Sequence, residues 1–201
     1  MNKTVKNEQE KRIEAAVQAL IIGNQTFLKT KEDGYSHQAI ETISTQNGQN
    51  PYAVVIACSD SRVPPEHIFS AGIGDLFVVR TAGNVIGEFE LGSIEYAVEH
   101  LGTPVILVLG HNHCGAVAAA MEGHGEGNTQ KILDEIIPVI SGEKDVCKCE
   151  NLNIEHSFCR ITESEVVSNL IDKGQVKIIS GKYDLETGVV EFFQQTCCKG
   201  E

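Results

Sequence analysis

Four short, largely apolar runs do most to limit what this chain can become. They are Tyr52-Ala53-Val54-Val55-Ile56-Ala57, Leu76-Phe77-Val78-Val79-Arg80, Pro104-Val105-Ile106-Leu107-Val108-Leu109 and Val176-Lys177-Ile178-Ile179-Ser180. Runs of this length without polar alternation suit strands buried on both faces. Helix-patterned stretches separate them, at 88–101, 114–122, 129–140 and roughly 153–173. Strands that alternate with helices build βαβ units and a parallel sheet. The end of the chain reads differently. Lys182 to Leu185, then Glu186-Thr187-Gly188, then Val189 to Phe193 forms a hairpin pattern. The expected fold is α/β, with a mostly parallel central sheet, one antiparallel edge strand, flanking helices and an N-terminal helical extension.

That extension is helical over 8–31, where Ile13, Val17, Leu20, Ile21, Phe27 and Leu28 share a broad apolar face. A second short helix is expected around 37–45, and Asn47-Gly48-Gln49-Asn50-Pro51 reads as a loop. A chain of 201 residues suits one domain, here 1–201, with a helical arm at 8–46 and an α/β core at 52–194.

Charge and apolar pattern exclude several roles. Lys and Arg number 16 against 28 Asp and Glu, a net −12, which repels phosphate backbones and anionic membrane surfaces. The expectation is no nucleic-acid partner and no membrane role. No apolar run reaches the ~20 residues of a membrane span. Met1-Asn2-Lys3-Thr4 leads into Glu8, Glu10 and Lys11 without an apolar signal core, so no secretory peptide is expected. Seven cysteines without such a peptide imply free thiols in a reducing, cytoplasmic compartment, some of them as metal ligands.

The chemistry gathers at two strand ends. The first run stops at Cys58, and the third leads into Gly110-His111-Asn112-His113-Cys114-Gly115. Parallel sheets place ligand sites at the carboxyl ends of their strands. Neighbouring strands would therefore bring Cys58, His111 and Cys114 to one edge. Two thiolates and an imidazole suit Zn²⁺, and three protein ligands leave a fourth position for water. The spacing alone is weak, because a Cys at a strand end is more often a small buried apolar residue. In Cys58-Ser59-Asp60-Ser61-Arg62, a carboxylate and a guanidinium follow at two and four residues. They can pair bidentately, either as a plain ion pair or as support for a metal site.

These residues resemble the β-class carbonic anhydrases. The resemblance rests on Ala57-Cys58-Ser59-Asp60-Ser61-Arg62-Val63, Gly74-Asp75-Leu76-Phe77-Val78-Val79-Arg80, Ala82-Gly83-Asn84, Ser93-Ile94-Glu95-Tyr96-Ala97-Val98, Gly110-His111-x-x-Cys114-Gly115 and Tyr183-Asp184-Leu185-Glu186-Thr187-Gly188. It implies one Zn²⁺ per subunit on Cys58, His111 and Cys114, with Asp60 and Arg62 as the catalytic dyad. It further implies reversible hydration of CO₂ to bicarbonate and a proton, by attack of zinc-bound hydroxide. Gln49, nine residues before Cys58, matches the subtype whose Gln hydrogen-bonds substrate or product. Phe77 and Tyr96 match apolar pocket walls contributed by a neighbouring subunit, and Ala82 stands where the family usually has Val. The resemblance also implies a homodimer or a dimer-of-dimers tetramer, with the active site at the dimer interface and the N-terminal helix wrapped on a partner.

On chemical grounds, an apolar pocket suits CO₂, and Gln49 with the Gly115 backbone N–H suits the developing bicarbonate. His67, His113 and His124 are candidate proton carriers. Hydrolysis of COS or CS₂ on the same scaffold is the alternative activity. A non-catalytic zinc protein or thiol sensor, closed by Asp60 as fourth ligand, is the alternative class. Cys147, Cys149, Cys159, Cys197 and Cys198 lack the C-x-x-C spacing of a second zinc site.

Overall fold

Five strands, Ala53–Cys58 (β1), Leu76–Thr81 (β2), Val105–His111 (β3), Lys177–Tyr183 (β4) and Val190–Phe193 (β5), form one sheet in the order β2-β1-β3-β4-β5. β1 pairs in parallel with β2 and β3, β3 pairs in parallel with β4, and β5 is antiparallel to β4. This is the expected α/β sheet with its single antiparallel edge. The computed structural model describes residues 3–33 and 48–193. The short helix expected around 37–45 lies outside them.

Every residue of β1 and β3 is buried, as their unbroken apolar runs require. The chain leaves β1 toward β2 on one side and continues from β3 toward β4 on the other. The β1–β3 boundary is thus where the winding direction reverses. In open parallel sheets a crevice forms there, outside the carboxyl ends of the strands.

The helices are Lys3–Asp33 (α1), Pro65–Ile68 (α2), Glu88–Glu99 (α3), Gly115–Glu122 (α4), Asn128–Ile140 (α5), Val146–Thr162 (α6) and Glu165–Asp172 (α7). One sheet face, through Val55, Leu107 and Leu109, packs with Ala16 and Leu20 of α1. The other, through Ile56 and Val108, packs with Ile94 of α3, Phe158 of α6 and Val167 of α7. A third apolar cluster joins Cys58 and Cys114 to Val117, Leu133, Ile136 and Ile140 of α4 and α5. That cluster flanks the two cysteines on one side of the sheet's carboxyl end.

Two expectations change. The single helix at 153–173 is two helices, because Ser164 caps α7 by accepting the Val167 N–H. Its first half also starts earlier, at Val146, where Asp145 accepts the N–H groups of Cys147 and Lys148. A buried ion pair, Lys182–Glu150 at 2.8 Å, fastens the start of the second turn of α6 to β4.

The second change concerns α1. Ile13, Val17, Leu20 and Phe27 of its expected apolar stripe pack on this chain's own core, together with Ala16 and the buried Asn24. Asn24 donates to the carbonyls of Ile68 and Gly188 and accepts the Val190 N–H. At Gly23 an added Cβ would stand 2.0 Å from the Phe69 carbonyl oxygen, so only glycine permits this approach. No helix of the described residues is long and apolar enough to cross a membrane.

Candidate metal centre

β1 ends on Cys58 and β3 ends on His111, and these strands are neighbours, with Ala57 opposite Leu109. Cys114 occupies the N-cap position of α4, immediately after the β3 turn. The ligand atoms of Cys58, His111 and Cys114 all lie within 4.8 Å of one another, and all three residues are buried. Among the described residues no fourth His, Cys, Asp or Glu joins this group. The expected trio therefore meets at the crevice where the sheet reverses its winding.

The donor set fits a divalent metal. His111 Nδ1–H donates to the Asn112 carbonyl at 2.8 Å, since a carbonyl can only accept. Nε2 is then the nitrogen with the lone pair, and it is buried with no hydrogen-bond partner. A neutral imidazole so oriented by its other nitrogen is the usual state of a metal-binding His. The sulfur of Cys58 accepts the N–H of Gly83 at 3.2 Å and that of Asp60 at 3.4 Å.

The three side chains also perturb one another's titration. A hydrogen bond from the Cys114 thiol, opposed by burial, holds Cys58 well below the ordinary thiol range. The same bond, together with burial, pushes Cys114 above that range. Burial opposes protonation of His111, yet the Cys58 sulfur outweighs it and the ring's pKa is raised. The two thiols thus share a proton, a state that two metal–sulfur bonds would replace.

Asp60 stands beside the trio and outside it. Arg62 donates from its backbone N–H and Nε to Asp60 Oδ1, at 2.9 and 3.0 Å, and from Nη2 to Oδ2 at 2.7 Å. The Arg62 hydrogen bond, opposed by burial, lowers the Asp60 carboxyl to about 2. Nη2 of Arg62 also donates to the His113 carbonyl at 3.2 Å, which ties the dyad to the loop between His111 and Cys114. His113 holds a positive φ of 55°, which aims that carbonyl.

The remaining expected residues divide between this centre and the other end of the sheet. Gly115 opens α4 beside Cys114 and is exposed, and Ala82 is half-buried next to Gly83. Gln49 is exposed in the loop before β1. Phe77 packs on Tyr96, with ring centroids 6.3 Å apart, but Phe77 lies opposite Val54 while Cys58 lies opposite Thr81. Four residues along a strand are ~13 Å, so these two rings sit toward the far end of the sheet. Cys147 and Cys149 are free and Cys159 is disulfide-bonded, which corrects the expectation of free thiols at Cys159. Among the described residues no second metal-ligating cluster forms.

Several residues at the centre escaped the sequence reading. Arg80 donates from Nε and Nη2 to the Cys58 carbonyl and from Nη2 to the Asp60 carbonyl, at 2.6 to 3.0 Å. Asn112 clamps the metal loop to the hairpin turn, donating to Asp184 Oδ2 at 2.9 Å and accepting the Leu185 N–H at 2.8 Å. A cation closing an apolar strand was a readable signal for Arg80. The Asn112 contact spans more than seventy residues and had none.

Comparison with known proteins follows the same lines. A family profile described as "Carbonic anhydrase" matches residues 53–190. Carbonic anhydrase 2 of Mycobacterium tuberculosis strain H37Rv is 37% identical over 185 residues, covering 87% of this chain and 89% of its own length. The carbonic anhydrase of Mycolicibacterium smegmatis is 37% identical over 188 residues, covering 88% and 91%. Among solved structures, the Coccomyxa β-carbonic anhydrase in complex with acetazolamide superposes with a TM-score of 0.68 at 28% identity, over 73% of each chain. A tetrameric β-carbonic anhydrase of Sordaria macrospora gives 0.68 at 27% identity, over 73% of this chain and 82% of its own.

Proposed function

The chain belongs to the β-class carbonic anhydrases and is an enzyme of that kind, and from this premise we propose that Cys58, His111 and Cys114 hold one Zn²⁺ for the interconversion of CO₂ with bicarbonate and a proton. Three buried ligand atoms within 4.8 Å, with no fourth protein ligand among the described residues, carry the reading. A zinc ion so held would supply a Lewis acid that lowers the pKa of water, so that hydroxide is available to attack CO₂ near neutral pH.

The chain's own residues do the rest. Asp60 Oδ2 carries one hydrogen bond, from Arg62, and keeps a lone pair for a water O–H. Accepting that hydrogen bond, with the proton left on the water, would turn the water's oxygen toward the substrate. Arg62 keeps the carboxyl ionised and turned toward itself, which prevents Asp60 from filling the open position. Val117, Leu133 and Ile136 pack around the thiols and exclude water from that side. Ala82 and the Gly115 N–H border the site and are proposed to touch substrate.

Gln49, Phe77 and Tyr96 are proposed to complete a pocket in a second copy of the chain. Their distance from their own Cys58 along the sheet supports this, and so does the tetrameric title of the Sordaria neighbour. A homodimer, alone or paired, is the corresponding assembly, formed by single domains with the arm at 8–46 and the core at 52–194. Cytoplasmic location belongs to the same proposal, supported by the free thiols and opposed by the disulfide at Cys159. The compared relatives carry the carbonic anhydrase name, so hydrolysis of COS or CS₂ gains no support.

Zinc analysis of purified protein tests the ligand set. One zinc per chain is expected in the wild type, and a large loss in Cys114→Ser. Zinc unchanged in that variant would contradict the assignment.

A further inference from the structure

Cys58 receives its shorter sulfur contact from a turn that has little to hold it by itself. Ala82–Asn84 is a single 3-10 turn, with Gly83 at φ 67° and Asn84 at φ 48°. Asn84 is 2% exposed, and a buried non-glycine residue in the left-handed region needs support from its surroundings. α6 provides it. Asn153 Nδ2 donates to the Gly83 carbonyl at 2.7 Å. Ser157 Oγ donates to the Asn84 carbonyl at 2.8 Å and accepts from Asn84 Nδ2 at 3.1 Å. Asn153 and Ser157 are 1% and 0% exposed. Asn153 Oδ1 has no partner, so the side chain leaves a buried acceptor unmet while its amide holds the turn.

The Gly83 N–H that this network fixes is the one that meets Cys58 Sγ at 3.2 Å. An added Cβ at Gly83 would come within 2.9 Å of Ile136 Cδ1, so the turn is also wedged from above by α5. We propose that Asn153 and Ser157 of α6 are positioning residues for the metal thiolate, acting through the Gly83–Asn84 turn. By holding the Gly83 N–H on Cys58 Sγ they set how much electron density that sulfur gives a bound metal. The inference rests on the assignment of Cys58 as a ligand. It reaches a helix that donates no ligand of its own.

Cobalt(II)-substituted protein tests it, because sulfur-to-cobalt charge transfer in the near ultraviolet reports electron density at the thiolate. Zinc affinity is measured alongside, by competition with a chromophoric chelator. Asn153→Ala and Ser157→Ala are expected to move the band to longer wavelength and to weaken zinc binding about tenfold, the low end of what lost support of a ligand costs. Ser157→Ala removes one hydroxyl and carries the same expectation if Asn153→Ala does not fold. Asn84→Gly keeps the left-handed backbone without strain, and its band is expected nearer the wild type than that of Asn84→Ala. Ile161→Ala, buried on the same helix, controls for loss of packing and is expected to leave the band in place. Band and affinity unchanged in both α6 variants would overturn the inference, as would an equal shift in Ile161→Ala. A wild-type protein without the charge-transfer band would instead overturn the ligand assignment, and this inference with it.

Discussion

Arg62 spends three hydrogen bonds on one carboxylate, and that concentration defines its task. With Arg62→Ala, Asp60 is free to turn toward the metal and to lose its orientation for water. The expected result is a fall in kcat/KM of about 10²-fold with zinc content kept, the scale of a misplaced catalytic group. Stopped-flow CO₂ hydration with metal analysis checks it, and full turnover would refute the role. The pair also has a pH signature. Asp60 titrates at about 2 in the folded chain against 3.8 ordinarily, so folding favours its ionised form. Its contribution is complete above pH ~4 and is lost as the pH falls toward ~2. Arg62 is 54% exposed, so solvent screening keeps the effect small. Urea unfolding across that range should show a shallower acid loss in Asp60→Asn than in the wild type. At this scale the grouping of Cys58, His111 and Cys114 and the pairing of Asp60 with Arg62 were legible, because Cys58 to Arg62 and His111 to Cys114 are contiguous in the chain. Arg80, Gly83 and Asn153 act on Cys58 from other strands and helices, and local spacing does not encode such contacts.

Among the elements, α1 and the α6–α7 pair carry the clearest consequences. Gly23 lets α1 reach the Phe69 carbonyl at the end of α2, so Gly23→Ala must push the two segments apart. A loss of about 1–3 kcal/mol is expected from this overpacking, read as a lower urea midpoint; an unchanged midpoint would show that α1 does not need this approach. Ser164 caps α7 and also donates to Glu95 of α3 at 2.6 Å. Ser164→Ala should cost about 1–2 kcal/mol by the same measurement. The strands were legible in place and order, because burial on both faces leaves runs that little else produces, but β4 continues to Tyr183, through the point where a separate hairpin strand was expected to begin. The helix break at Ser164 was not, since the apolar pattern continues through Ile161 and Val167 on either side. The start of α6 was missed for the opposite reason. Cys147 to Asn151 carries almost no apolar signal, and only the Asp145 cap marks it.

For the whole molecule, the order of the strands matters more than any single one. Placing β1 beside β3 turns two distant motifs into one crevice, and the reversal of winding leaves its carboxyl end open. Sequence order alone does not state that adjacency. The apolar cluster of α4 and α5 then shields the thiols, while Phe77 and Tyr96 lie toward the other end of the sheet, where a second copy is proposed to use them. Activity that falls on dilution together with dissociation of the assembly is the expected sign of that shared pocket. The most direct test of the metal-centred account is the initial rate of CO₂ hydration measured before chelation, after it, and after return of one equivalent of Zn²⁺ per chain. The expected course is loss to the uncatalysed background and recovery with zinc. A rate that survives complete removal of metal would contradict it.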